Sequence, residues 1–292
     1  MSGELIQNNG TSAGIDVQIR EDGISLLCPE EASTARDGMG YGKVEHITYY
    51  SNTTGCERGA NILFPEGYTT DKKYPVLYFL HGIFGDENSM IGEKENKIDV
   101  IAGNLKADGK AEDVIIVFPN MFATGDPQMQ PGFSAEQVIP YDNFINDLCD
   151  DLVPYIEATY PVLNDRLNRS VIGFSVGGRE TLFIGTRRSD MFARFGGIAP
   201  APGLVPTQDA FMSHVGQMSE EEMDIAHKEA LPELMLVCCG TQDGVVRNYP
   251  KSYHEIYEKN GVKHIWFEVP GADHNSDAIR SGFYNFMIKW FE

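Results

Sequence analysis

The feature that most restricts the fold is a set of short runs that are apolar almost throughout: Tyr74-Pro-Val-Leu-Tyr-Phe-Leu80, Val114-Ile-Ile-Val-Phe118 and Leu234-Met-Leu-Val-Cys-Cys239. A strand with one wet face alternates apolar and polar residues. A run with no such alternation has both faces covered, as in a parallel sheet sandwiched between helices. Parallel strands need crossover helices, and the chain supplies them. Between Tyr141 and Tyr160, Phe144, Ile145, Leu148, Leu152, Tyr155 and Ile156 recur at helical spacing, and Pro154 marks a kink or a restart. A strand over Ser170–Phe174 leads into a helix from Val176 to Arg188. A helix around Tyr253–Lys259, capped by Asn260-Gly261, precedes a last strand over His264–Val269. Ile279, Phe283, Phe286, Met287 and Trp290 mark a closing amphipathic helix.

Val44–Tyr50 and Ala60–Phe64 read as an earlier strand pair, joined too tightly for a crossover helix and therefore antiparallel. The expected class is thus α/β, with a mostly parallel central sheet, helices on both faces and an antiparallel N-terminal edge. No repeat or linker divides the later chain, so residues 41–292 are expected as one domain. The polar, Gly-rich residues 1–40 are expected as an extended arm.

Composition removes several functions. With 23 Lys and Arg against 43 Asp and Glu, the formal charge is −20, the wrong sign for phosphate backbones or anionic membrane surfaces. No apolar stretch is long enough to span a bilayer. Met1-Ser2-Gly3-Glu4 has neither the basic nor the apolar region of a secretory signal. The cysteines, Cys28, Cys56, Cys149, Cys238 and Cys239, form no C-x-x-C pair, and no metal site is expected.

Gly173-Phe-Ser-Val-Gly177 carries the chemistry. In G-x-S-x-G the serine sits on a sharp turn between strand and helix, and here the flanking pattern is a strand before and a helix after. A serine hydroxyl needs a base to take its proton. Of the seven histidines, His274 alone lies in a loop just past a late strand. His254 and His264 fall within a helix and a strand, as structural residues, and His214 and His227 belong to a polar stretch that reads as surface. The imidazole needs an acid to fix its tautomer. Asp243, just beyond the apolar run ending at Cys239, lies where open α/β sheets assemble their sites; Asp273 is the alternative, awkwardly adjacent to His274. The chain order Ser175, Asp243, His274 is that of the α/β-hydrolases. An oxyanion needs backbone donors, expected from Val176 and from the loop Leu80-His-Gly-Ile-Phe-Gly85, through Ile83 or the neighbouring Phe84.

These motifs, with Ile47-Thr-Tyr-Tyr-Ser51 and Asp151-Leu-Val-Pro-Tyr-Ile-Glu157, resemble the putative-esterase (esterase D-like) group of α/β-hydrolases from about Gly40 onward. The likeness is strongest to carbohydrate esterase family one, the feruloyl and acetyl-xylan esterases. The resemblance implies a serine carboxylesterase that cleaves feruloyl or acetyl esters on plant cell-wall xylan through an acyl-enzyme. It implies no cofactor and no metal, an ester-decorated polysaccharide or oligosaccharide as partner, other modules in a longer parent enzyme, and an extracellular site of action. Val176 stands where that group usually has Met, and Arg179 where a small residue is common; Arg179 reads as an ion-pair residue. Competing readings are an S-formylglutathione hydrolase-like thioesterase, an acyltransferase and an inactive hydrolase-fold binding module.

The segment Pro119–Tyr141 is too long for a tight connection and carries Met121, Phe122, Met129 and Phe133. Phe122, Phe133 and Phe84 are the candidates for an acyl pocket. The alternative for this segment is a surface excursion that packs its apolar residues on the scaffold.

Overall fold

The computed structural model of the chain describes residues 5–6, 18–208 and 213–292. Eight strands form one sheet: β1 (Lys43–Ser51), β2 (Cys56–Phe64), β3 (Val76–Leu80), β4 (Ile115–Pro119), β5 (Arg169–Phe174), β6 (Arg194–Ile198), β7 (Leu234–Gly240) and β8 (Ile265–Val269). Their order across the sheet is β8-β7-β6-β5-β3-β4-β2-β1. Strands β3 to β8 pair in parallel, while β2 pairs antiparallel with both β4 and β1. The apolar runs are therefore buried strands of a parallel sheet, and the tight early pair is its antiparallel edge. Two further two-residue pairings, Leu5–Ile6 with Ile19–Arg20 and Thr207–Gln208 with Ser213–His214, lie outside this sheet.

The principal helices are α1 (Ile98–Ala107), α2 (Ala135–Asp142), α3 (Val153–Thr159), α4 (Val176–Arg187), α5 (Tyr249–Lys259) and α6 (Ser276–Phe291). Side chains alternate along β3, so Val76, Tyr78 and Leu80 enter one core, while Leu77 and Phe79 enter the other. The first core is closed by α2 to α5, with Tyr141, Leu182, Ile184, Tyr253 and Tyr257. The second is closed by α1 and α6, with Ile101, Leu105, Phe283, Phe286 and Trp290. No helix among the described residues is long and apolar enough to cross a membrane.

The single helix expected over 141–160 is divided. α2 ends at Asp142, and after Asn143 the helix runs without a break from Phe144 through a π-helical turn at Asp147–Leu152 into α3, whose first turn holds Pro154. Two carboxylates anchor the π-helical turn. Asp147 accepts from Tyr49 Oη at 2.7 Å and Arg58 Nε at 3.0 Å, and Asp151 accepts from the Thr53 N–H at 2.9 Å and from Asn52 at 2.8 Å. Both hold the β1–β2 hairpin.

Residues 18–40 pack against the domain, with a short strand at Ile19–Arg20 and a helical turn at Glu30–Ser33, while 1–4 and 7–17 of the expected arm lie outside the described residues. Ile24 is fully buried. The Ser25 N–H donates to Asn285 Oδ1 at 2.9 Å, and Asn285 Nδ2 donates back to Ser25 O at 2.7 Å. This reciprocal pair joins the segment to α6.

Candidate active site

Adjacent parallel strands deliver their loops side by side. In the register Leu80 lies beside Gly173, Phe174 beside Ile198, and Gly240 beside Val269. The loops after β3, β5, β7 and β8 therefore emerge at one edge of the sheet. β3 is also where the chain reverses its direction of travel across the sheet, with β4 on one side and β5 on the other. Crevices at such switch points are the usual sites of open α/β sheets.

Ser175 follows β5 directly and has φ 59° and ψ −120°, a conformation that L-residues seldom adopt. The surrounding backbone holds it there: its N–H donates to Ile198 O at 3.0 Å, and its carbonyl accepts from the N–H groups of Arg179 at 3.0 Å and Ala201 at 2.9 Å. The glycines of the motif are steric requirements. A Cβ on Gly173 would stand 2.2 Å from Gly177 O, and one on Gly177 would stand 2.5 Å from the carbonyl oxygens of both Leu80 and His81.

His274 Nδ1 donates to Asp243 Oδ2 at 2.7 Å. The other carboxylate oxygen of Asp243 accepts the N–H groups of Val245 at 2.9 Å and Val246 at 3.0 Å. Burial alone would raise the Asp243 carboxyl, but the hydrogen bond and charge of His274, with these amides, hold it below the usual carboxylate range. Asp273 instead accepts the backbone N–H groups of His274 at 2.7 Å and Gly244 at 3.4 Å, and makes no hydrogen bond with the imidazole. The Phe174 ring packs on His274 with centroids 4.4 Å apart, which sets the imidazole beside the Ser175 turn. Ser175 Oγ and His274 are not hydrogen-bonded to each other. Such bonds often close only once substrate is bound.

Among the described residues no acceptor takes the N–H of Ile83 or of Val176, the first residue of α4. The Phe84 N–H, the alternative donor, is given to Tyr141 Oη at 3.3 Å. His81, buried beneath this loop, donates from Nδ1 to Gly82 O at 2.7 Å and accepts the Met121 N–H on Nε2 at 2.9 Å. Burial holds His81 neutral, with its pKa lowered to about 4. A neutral imidazole is what this donor-and-acceptor pairing requires.

A cavity of about 180 Å³ opens on Ser175, lined also by Ile83, Phe133, Val176, Ala201, Pro202, Gly244, Val245 and Val246. Apart from Ser175, every lining side chain is apolar or glycine. Of the three aromatic pocket candidates, Phe133 lines this cavity, and the Phe84 ring meets Phe133 edge-on. Phe122 is not in this cavity. Arg58 binds the carbonyls of Asn120 and Phe122 while His81 holds Met121 between them, so the start of the loop is pinned to the sheet. The Phe122 ring consequently packs edge-on against Tyr141 in the core, 5.2 Å between centroids.

His214, read as a surface residue, is buried, with Nε2 2.9 Å from Asp142 Oδ2. Arg179 is the ion-pair residue expected: fully buried, it binds Asp142 at 2.8 Å and Glu180 at 2.6 Å, and donates to Pro202 O at 3.2 Å. This network ties α4 and α2 to the wall of the cavity. Tyr141, the Val245 and Val246 amides and Pro202 have no individual signature in the sequence. A polar residue three positions before a backbone donor, as in Asp243-Gly-Val-Val246, is the one usable hint.

The family model described as "Putative esterase" matches residues 51–267. A solved CE1 ferulic acid esterase from Anaeromyces mucronatus, in complex with ferulic acid, is 44% identical, with a TM-score of 0.86 over 91% of this chain and 96% of that one. An endo-1,4-beta-xylanase/feruloyl esterase of Xylanibacter ruminicola is 33% identical over 186 residues, which is 60% of this chain and 24% of that protein. Endo-1,4-beta-xylanase Y of Acetivibrio thermocellus is 26% identical over 156 residues, 13% of its length. The chain thus spans a quarter or less of these two relatives.

Proposed function

The chain belongs to the putative-esterase family of α/β-hydrolases, in its carbohydrate esterase family one branch, and from that premise we propose that it is a feruloyl esterase acting on plant cell-wall arabinoxylan. It is a serine ester hydrolase. The observation that carries the substrate reading is the apolar cavity opening on Ser175, whose walls suit a flat aromatic acyl group and leave a bare acetyl group largely unsupported. The ferulic acid esterase that is 44% identical over nearly its whole length supports the same acyl group.

In this reading Ser175 Oγ attacks the ester carbonyl carbon and His274 accepts its proton. Asp243 keeps the proton-bearing Nδ1 turned toward itself, which leaves Nε2 free to act, and stabilises the imidazolium. The amides of Ile83 and Val176 receive the oxyanion. His274 then returns the proton to the departing sugar oxygen, and water, activated by the same imidazole, releases ferulate from Ser175. The partner is an ester-bearing polysaccharide, and because such a polymer does not enter cells the enzyme works outside them. The xylanases among the relatives support a setting beside other modules.

A hydrolysis panel of methyl ferulate, acetylated xylan and S-formylglutathione tests the proposal. The expected result is kcat/KM highest on methyl ferulate by at least about tenfold. Preference for either of the other substrates would reject the feruloyl reading.

A further inference from the structure

The rim of the acyl cavity carries an aromatic side chain that the reaction above does not use. Gly82–Gly85 is a tight turn, closed by the Gly85 N–H donating to Gly82 O at 3.2 Å, with Ile83 and Phe84 at its central positions. Phe84 has φ 64°. A positive φ at the second central position is what a type II turn requires, and glycine or asparagine usually supplies it. A residue with a Cβ is strained there, by about 1–2 kcal/mol. Burial does not compensate, because Phe84 is 58% exposed. Its N–H, held by Tyr141 Oη, fixes the turn, so the backbone decides where the ring points. The ring meets Phe133 edge-on, 5.2 Å between centroids, and Phe133 is itself 47% exposed. Phe133 lines the cavity, so through this contact the exposed Phe84 ring is joined to the cavity wall.

The reaction geometry says what would meet it. With the carbonyl carbon at Ser175, the oxyanion toward the Ile83 and Val176 amides and the acyl group in the cavity, the alkoxy oxygen must point out through the mouth. Phe84 directly follows the Ile83 donor in the turn and exposes its ring to solvent there. We infer that Phe84 is the platform for the alcohol half of the ester, its exposed face packing on the C–H face of the pentose ring that departs when Ser175 is acylated. This rests on the feruloyl-esterase reading. A neutral sugar offers no charge for a chain of net charge −20 to recognise, so an apolar ring face is the available contact.

The test compares wild type, Phe84→Ala and Phe84→Trp on methyl ferulate and on a feruloyl-arabinofuranosyl xylo-oligosaccharide. Phe84→Ala is expected to lose about five- to tenfold in kcat/KM on the oligosaccharide, mainly through KM, and less than about twofold on methyl ferulate. Phe84→Trp should restore the oligosaccharide rate. Equal losses on both esters would make Phe84 a support of the oxyanion loop and overturn the platform, as would no loss on either. Wild-type enzyme idle on both ferulates would instead reject the feruloyl reading, and the platform with it.

Discussion

Asp243 is fully engaged, one carboxylate oxygen on two backbone amides and the other on His274. Asp243→Asn keeps the size but offers the imidazole an N–H, which favours the wrong tautomer. A fall in kcat of about 10³–10⁴ is expected, with the fold retained. Asp273→Asn should stay within about threefold of wild type, since that carboxylate touches only backbone. Reversed phenotypes in a steady-state assay would assign the acid to Asp273. That Ser175, Asp243 and His274 would share one sheet edge, with Asp243 meeting the imidazole, was legible because the alternation of strands and helices says which loops lie side by side. Phe122 and His214 were not. The direction of Phe122 depends on Arg58, 64 residues earlier in the chain, and the burial of His214 on Asp142, 72 residues away. Neither pairing leaves a local pattern.

At the scale of elements, the turn from β5 to α4 is tighter than any side chain allows. Gly177→Ala would drive a methyl group into the Leu80 and His81 carbonyls, which sit at the base of the loop that carries Ile83, the proposed oxyanion donor. A loss of about 3 kcal/mol in unfolding free energy is expected, with a fall of about a hundredfold in kcat from displacement of Ile83. Urea unfolding and turnover of methyl ferulate read the two effects. If stability falls and kcat does not, the oxyanion loop is not coupled to the elbow in this way. The same crowding explains why β6 was missed in the sequence. Its Arg-Phe-Gly-Gly-Ile segment has glycines because a Cβ on Gly197 would stand 3.0 Å from Gly178 O in α4, and one on Gly196 would stand 3.1 Å from Phe286 in α6. Close helix approach thus replaced the apolar signal that marked the other strands. α1 was missed too; it starts after Lys97, a left-handed residue with no side-chain cap, so the usual start signal is lacking.

For the molecule as a whole, histidines kept neutral by their surroundings make stability depend on pH. Burial lowers His81 to about 4, and burial also lowers His264 and, with the charge of His264, His254. The unfolded chain protonates these groups near pH 6.5, whereas the folded chain resists, so the unfolded state binds more protons in between and stability rises with pH across that window. It is complete above about pH 6.5 and lost toward pH 4. His81 alone should contribute about 2 kcal/mol of difference between pH 7 and pH 5. Relative to pH 7, the urea midpoint at pH 5 should therefore be higher in His81→Asn than in wild type; an unchanged difference would place the effect elsewhere. The reciprocal bonds between Ser25 and Asn285 join residues 260 positions apart. During folding the segment around Ser25 has no surface to settle on until α6 is made, and His274 stands just before the Asn275 cap of that helix. Until α6 is in place the second core lies open, so hydrolytic competence waits on the same helix that closes that core.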